Sequence, residues 1–308
     1  MPELPDITVY VESLAAHIVG ATLTGARLKS LFLVRTAVPP LADAFGRKVT
    51  GVGRQGKRII IDLSGELHLV LHLMIAGRLT WKKAAGAKLP GRGALAALDF
   101  TTGTLIVTEA GKKQRASLHV VAGAEALAAM DRGGVEPLAC DLAAFTAALT
   151  CENHTLKRAL TDPTLFSGIG NAYSDEILHR ARLSPLTWTS RLTDDETGRL
   201  FIATQTVLSE WTERLRAEAA PDGWPLKVTA FREGMAVHGR FGQPCPVCAT
   251  PVQRIAYADN ETNYCPTCQT EGKLLADRAL SKLMRGDWPK TLAELEERKR
   301  RLKGDDGT

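Results

Sequence analysis

Nothing in the 308 residues forms an apolar run of the roughly 18 residues a membrane span needs. The amino terminus has no basic segment leading into a long apolar core, so neither a membrane protein nor a secretory leader is expected. Cysteine is scarce. Only six are present, and four sit in two CxxC pairs near the carboxyl end, leaving Cys140 and Cys151 scattered. That distribution argues against a disulfide framework and for a reduced, cytoplasmic protein with one metal site. No internal repeat appears beyond the paired CxxC halves, and His17, His119, His154 and His179 show no metal-ligand spacing. With 44% hydrophobic and 24% charged residues, the chain can build ordinary cores, and its length suits about two domains and a small third unit. A net charge of +5 and a pI of about 8.9 permit a polyanionic partner without requiring one.

Helical spacing opens the chain. Asp6 can cap a helix whose Ile7, Val11, Leu14, Ala15 and Ile18 share one face, and Gly20 is its natural stop. From 22 to 122 the period changes to two. Leu67, Leu69, Leu71 and Leu73 line one strand face and His68, Val70 and His72 the other, with Ser64-Gly65 turning back to Arg58–Leu63. Further strands are expected over 94–100, 104–109 and 117–121, which together predict a β-sandwich or barrel. Near 123 alanine and leucine take over, and Leu127, Met130, Leu142, Phe145 and Leu149 fall at helical spacing. Cys140 and Cys151 have no partner in the pattern and are expected as core thiols.

Three short stretches carry chemistry. Cys245-Pro246-Val247-Cys248 and Cys265-Pro266-Thr267-Cys268 are separated by sixteen residues. Two such knuckles can surround one tetrahedral zinc ion, and four thiolates leave no open position, so the expected role is structural rather than redox. Gly168-Ile169-Gly170-Asn171 opens a helix that runs to about Arg182. Such a turn either aims N–H groups at a phosphate or is a plain helix–loop–helix corner. At the start, Met1-Pro2-Glu3-Leu4-Pro5-Asp6 offers a secondary amine if Met1 is removed, with the Glu3 carboxylate beside it as a proton shuttle. The alternative is an ordinary polar start to the first helix.

Taken together, these stretches resemble the formamidopyrimidine-DNA glycosylase / endonuclease VIII family over nearly everything from residue 1 to about 270. Met1–Pro5 looks like its amino-terminal signature. Leu160–Leu178, with Ser167-Gly168-Ile169-Gly170-Asn171, looks like its helix–two-turn–helix motif, and Val237–Cys245 leads into a zinc finger as the family's does. The resemblance implies an α+β multidomain fold. A β-sandwich catalytic domain with flanking helices would cover 1–122, a helix–two-turn–helix domain 123–235, a zinc-ribbon hairpin 236–272 and a helix-prone charged tail 273–308. It also implies a bifunctional DNA glycosylase/AP lyase of base excision repair that acts as a monomer on damaged double-stranded DNA, in a nucleoid-associated setting. Pro2 would be the nucleophile at C1′, Glu3 the proton carrier and Lys57 a catalytic-site lysine on phosphate. Lys157, Gly170 and Asn171 would bind DNA, Glu176 would orient the amino terminus, and Cys245, Cys248, Cys265 and Cys268 would hold one structural Zn2+.

The sequence departs from the family pattern at three points. Ile75, with Met74 beside it, stands where a methionine commonly fills the vacated base stack. In the loop after Glu109, Arg115 is the candidate counterpart of the family's arginine, and its phenylalanine is absent. Asn260 replaces the finger's phosphate-gripping arginine. The 219–228 segment is short for the lesion-capping loop of the purine-specific branch, and the tail's basic run 298–303 is either a solvated helix end or an accessory DNA contact. Two other functions stay open: a lyase acting mainly at abasic sites, and a non-catalytic binder of damaged DNA.

Overall fold

A computed structural model describes residues 1–308 except 112, 226, 227, 230, 258, 259, 277–287 and 306–308, and it describes no side chains at 299 or 302–305. Lys112, the centre of the 219–228 segment, Asp259 and much of the tail therefore lie outside the described residues. The chain divides into two compact units. The first takes 1–138, 163–168 and 208–230, and the second takes 139–162, 169–207 and 231–308.

In the first unit, helix α1 (Leu4–Ile18) begins where Glu3 leaves the helical range, with Pro5 in the first turn. The Glu3 N–H donates to Asp6 Oδ2 at 2.9 Å, which satisfies a backbone donor of the kind a helix start leaves orphaned. Eight strands follow: β1 (Leu23–Leu28), β2 (Val49–Gln55), β3 (Arg58–Leu63), β4 (Leu67–His72), β5 (Gly77–Lys82), β6 (Ala94–Phe100), β7 (Gly103–Glu109) and β8 (Ser117–Ala122). They form two four-stranded sheets, ordered β1-β6-β7-β5 and β2-β3-β4-β8, in which neighbouring strands run antiparallel. The alternation seen in the sequence holds. Leu67, Leu69 and Leu71 face the main core with Ile7, Leu14 and Ile18 of α1, while Val70 faces Ile60, Val121 and the side chains of Leu127 and Met130. Each fully buried leucine or isoleucine contributes about 1.5–3 kcal/mol.

Two returning segments complete this unit. Val9, on the other side of α1, packs with Leu215 and Ala219 of helix α6 (Asp194–Ala219). Trp224 enters the core, and its Nε1 donates to the Leu79 carbonyl at 3.2 Å. The 163–168 segment lies so close to the chain at Gly134 that a Cβ there would stand 2.5 Å from the Pro163 carbonyl. Gly168 is the sharper constraint. Its φ is +80°, its carbonyl accepts the Leu4 N–H at 2.9 Å, and an added Cβ would fall 2.8 Å from the Leu4 Cβ.

The second unit holds helices α3 (Leu142–Thr150), α4 (Leu156–Thr161), α5 (Asn171–Ala181) and the first part of α6; a short α2 (Ala124–Ala128) belongs to the first unit. Hairpin strands β9 (Gln253–Tyr257) and β10 (Asn260–Tyr264) follow, then α7 (Pro266–Thr270) and α8 (Leu292–Asp305). The expectation of core thiols fails. Cys151 caps the end of α3 and is exposed, and Cys140 is only half-buried, because both fall at helix margins rather than on an apolar face. The Leu274 N–H donates to the Lys290 carbonyl and the Leu275 N–H to the Tyr264 hydroxyl, both at 2.8 Å, so the stretch after Cys268 closes back on the finger. At the start of α8 the Glu294 N–H donates to the Thr291 hydroxyl at 3.3 Å, and the Glu294 carboxylate accepts the Lys290 N–H at 2.7 Å.

Gly168→Ala is expected to lower the unfolding free energy by about 1–3 kcal/mol, since the new side chain meets both a left-handed backbone and Leu4. The urea midpoint should fall with little change in slope; an unchanged midpoint would remove Gly168 as the anchor of α1.

Candidate active site and nucleic-acid interface

The first unit gathers Pro2, Glu3 and Lys57. Pro2 and Glu3 are both buried at the start of α1, which is unusual for a chain end and fixes both against the fold. Lys57 occupies the second place of a two-residue hairpin between β2 and β3. Gly56, with φ +59°, takes the first place, as a II′-type turn requires. The terminal amine of Met1 is held below its ordinary value of 8.0. Burial is the main cause, Arg78 and Lys57 lower it further, and Glu3 and Asp6 oppose them. His72, paired across the ladder with Arg58, is pushed down to about 4 by burial and by Arg58, Lys57 and His119, so it adds no charge beside Lys57 at neutral pH.

Arg78 is a residue that sequence reasoning missed. It lies on β5, its guanidinium donates to the Gly77 carbonyl at 2.7 Å and to the Ile75 carbonyl at 3.3 Å, and its charge reaches the amine. No short motif marks it. Ile75 stands at the tip of the 73–76 turn, 60% exposed, with Met74 beside it at φ +53°. Gly77 of this turn pairs with Glu109, and the buried Glu109 carboxylate accepts the N–H groups of Arg115 at 2.8 Å and Ala116 at 2.9 Å. Met74, Ile75 and Arg115 are thereby brought to one end of a single sheet. Glu136 is a second missed residue: its carboxylate holds Arg54 and the Ser167 hydroxyl.

The second unit gathers Lys157, Gly170, Asn171 and Asn260. Gly170 caps α5 in an extended conformation. The Asn171 Nδ2 donates to the Glu261 carbonyl at 2.9 Å, tying α5 to the hairpin. Lys157 Nζ donates to the Asn171 carbonyl at 2.6 Å and to Asp175 Oδ1 at 2.5 Å. The other Asp175 oxygen meets His238 Nδ1 at 2.8 Å and accepts the Asn263 N–H at 3.2 Å. Both Glu176 oxygens are taken, by the N–H groups of Ala236, Val237 and His238. The side chain expected to orient the amino terminus thus holds the lead-in to the finger. Burial raises the Glu176 carboxyl above its ordinary value against the pull of those three donors, and Asp175 adds to the rise. Lys157, Asn171 and Asn260 all line one groove of about 400 Å³.

The four cysteine sulfurs lie within 4.8 Å of one another. Cys248 and Cys265 Sγ are 3.4 Å apart and Cys245 and Cys268 Sγ 3.9 Å, against roughly 3.8 Å between ligands of a tetrahedral zinc–thiolate site. The soft four-sulfur set fits one structural zinc ion. His179 Nε2, 3.3 Å from Cys245 Sγ, supports a ligand from behind.

A sandwich bearing a buried proline–glutamate terminus, together with a helix–two-turn–helix unit carrying a zinc ribbon, defines a DNA glycosylase class of protein. Sequence models of the formamidopyrimidine-DNA glycosylase N-terminal domain, of its H2TH domain and of the zinc finger found in FPG and IleRS match residues 1–119, 134–217 and 242–270. The formamidopyrimidine-DNA glycosylase of Chloroflexus aurantiacus is 34% identical over 276 residues, 87% of this chain and 98% of that one. The MutM (Fpg) structure from Thermus thermophilus is 33% identical with a TM-score of 0.72, covering 87% and 98% of the two chains. A Lactococcus lactis Fpg solved with abasic-site DNA shares the fold at 24% identity, with a TM-score of 0.77 over 87% of this chain and 99% of that one. The chain belongs to the formamidopyrimidine-DNA glycosylase family.

Metal analysis should return one zinc ion per chain. Cys265→Ser is expected to lose the ion and, with it, the order of the hairpin, read as increased proteolysis between 253 and 264. A Cys265→Ser protein that keeps its zinc and its resistance would contradict the assignment.

Proposed function

We propose that the chain is a bifunctional DNA glycosylase/AP lyase of base excision repair that acts through the nitrogen of Pro2. The observation that carries this is the buried Pro2–Glu3 pair, with Arg78 and Lys57 near enough for their charges to act on the adjoining Met1 amine. Removal of Met1 turns the Pro2 amide nitrogen into a secondary amine. Its lone pair attacks C1′ of the damaged nucleotide, the bond from C1′ to the base breaks as the nitrogen gives up its proton, and Glu3 protonates O4′ so that the C1′–O4′ bond opens and leaves an iminium at C1′. The resulting iminium acidifies the C2′ proton. Its removal expels the 3′ phosphate, and a second elimination expels the 5′ phosphate.

Extrusion of the nucleotide costs roughly a few kcal/mol. Phosphate contacts help offset that cost, and Lys57, Gly170, Asn171 and Asn260 are the candidates for them. Ile75 and Met74, an apolar turn tip with Arg115 at the same sheet end, suit the filling of a vacated stack. Zinc-bound thiolates fit a reducing, cytoplasmic setting.

Borohydride should trap the chain covalently on duplexes carrying an abasic site, an oxidised purine or an oxidised pyrimidine. Intact mass should lack Met1, and Pro2→Gly should lose most trapping. Glu3→Gln should slow strand cleavage by about 10²–10⁴-fold. Trapping confined to abasic sites would favour the lyase reading. Binding without trapping or cleavage on any of the three would favour the non-catalytic one.

A further inference from the structure

The groove of the second unit has an uneven charge balance. It is lined by residues of α4, by Asn171, by the 186–188 stretch and by the finger hairpin, and among the described residues no carboxylate lines it. Two full cations do, Lys157 and Arg158. Lys157 is committed. Its ammonium lies against the buried Asp175 carboxylate, and only 12% of its side chain is exposed. Arg158, the next residue on α4, is exposed, and among the described residues no carboxylate pairs with it. Trp188 and Tyr257, 40% and 47% exposed, form aromatic walls of the same groove. By excluding water they lower the local dielectric, which strengthens an ionic contact between them.

We infer that Arg158 is the principal phosphate-binding cation of this groove, and that the groove takes a phosphodiester of the DNA strand between Trp188 and Tyr257. A guanidinium presents a planar fork of donors that matches two phosphate oxygens, which an ammonium already shared with Asp175 does not. Asn171 and Asn260 add neutral amide donors on either side. The aromatic faces suit the sugar and base edges that flank a phosphate. On this assignment Lys157 is a positioning residue: it holds the Asn171 backbone and Asp175 in place, and Arg158 makes the contact.

The inference rests on the DNA reading above, and the two fail separately. Binding of a fluorescent duplex with a tetrahydrofuran abasic analogue, and of the undamaged duplex, is measured across 50–300 mM salt for the full chain, Arg158→Gln, Arg158→Lys and Arg199→Gln. Arg199 is exposed on α6 and paired with Asp195 outside the groove, which makes it the charge-matched control. Arg158→Gln should weaken both duplexes by about tenfold and reduce the slope of log affinity against log salt by about 0.9, the value for one phosphate contact. Arg158→Lys should restore the slope but only part of the affinity, and Arg199→Gln should match the wild type. The melting temperature and zinc content of Arg158→Gln should be unchanged, which a merely structural role would not allow. An Arg158→Gln protein with wild-type slope and affinity overturns the assignment. So does one whose loss of affinity tracks a loss of zinc or melting temperature. A wild-type chain that binds neither duplex overturns the DNA reading instead.

Discussion

A carboxylate with no exposed surface must be surrounded by donors, and Asp175 sets much of the second unit by that requirement. One oxygen takes the Lys157 ammonium; the other takes the His238 ring and the Asn263 backbone. A helix of the helix–two-turn–helix motif, the lead-in to the finger and the finger hairpin thus converge on one side chain of α5. Its neighbour Glu176 repeats the device on the three N–H groups of 236–238. Removing one partner from such a pair leaves a buried charge uncompensated, at about 3–5 kcal/mol. Both carboxylates therefore constrain where the finger begins before zinc does. The metal then fixes its far end, where Gln269 bonds the Cys265 N–H at 2.8 Å and the Leu183 carbonyl at 2.9 Å.

The first unit solves a different problem, that of holding a chain terminus still. A terminus ordinarily frays because nothing offsets its conformational entropy. Here Leu4 is fully buried, its N–H is taken by Gly168, and the Glu3 N–H by Asp6. The glycine has to be glycine because Leu4 comes so near. The turn that looked like a possible phosphate cradle therefore works in two ways at neighbouring positions. Gly168 offers its carbonyl to α1, and Asn171 opens α5 and lines a groove.

What was legible in the sequence was local or periodic. The alternating leucines of β4, the Gly56-Lys57 turn and the paired CxxC knuckles announce themselves within a few residues, because their physics is a backbone period, a φ sign or a ligand spacing. Pro2, Glu3 and Lys57 were reached only through the resemblance, since a proline and a glutamate at a chain end carry no spacing of their own. Arg78 and Glu136 were missed for a related reason. Each acts through partners remote in sequence: Arg54 and Glu136 are 82 positions apart, and the Arg78 charge acts on the first residue of the chain. Cys140 and Cys151 were misjudged because cysteine's average preference for burial says nothing about a helix margin.

The same distinction separates Lys157 from Arg158. In the sequence they are adjacent basic residues, and the resemblance assigns DNA binding to the lysine alone. In the structure the lysine faces a buried carboxylate and the arginine faces open groove. Formal charge is therefore a poor guide to which residue meets a polyanion. An ammonium already within 2.5 Å of a carboxylate presents almost no net field to an approaching phosphate, while an unpaired guanidinium presents its full charge at the groove wall. The motif lysine is the price of the scaffold's buried carboxylate, and recognition shifts to the neighbour that the scaffold leaves unneutralised.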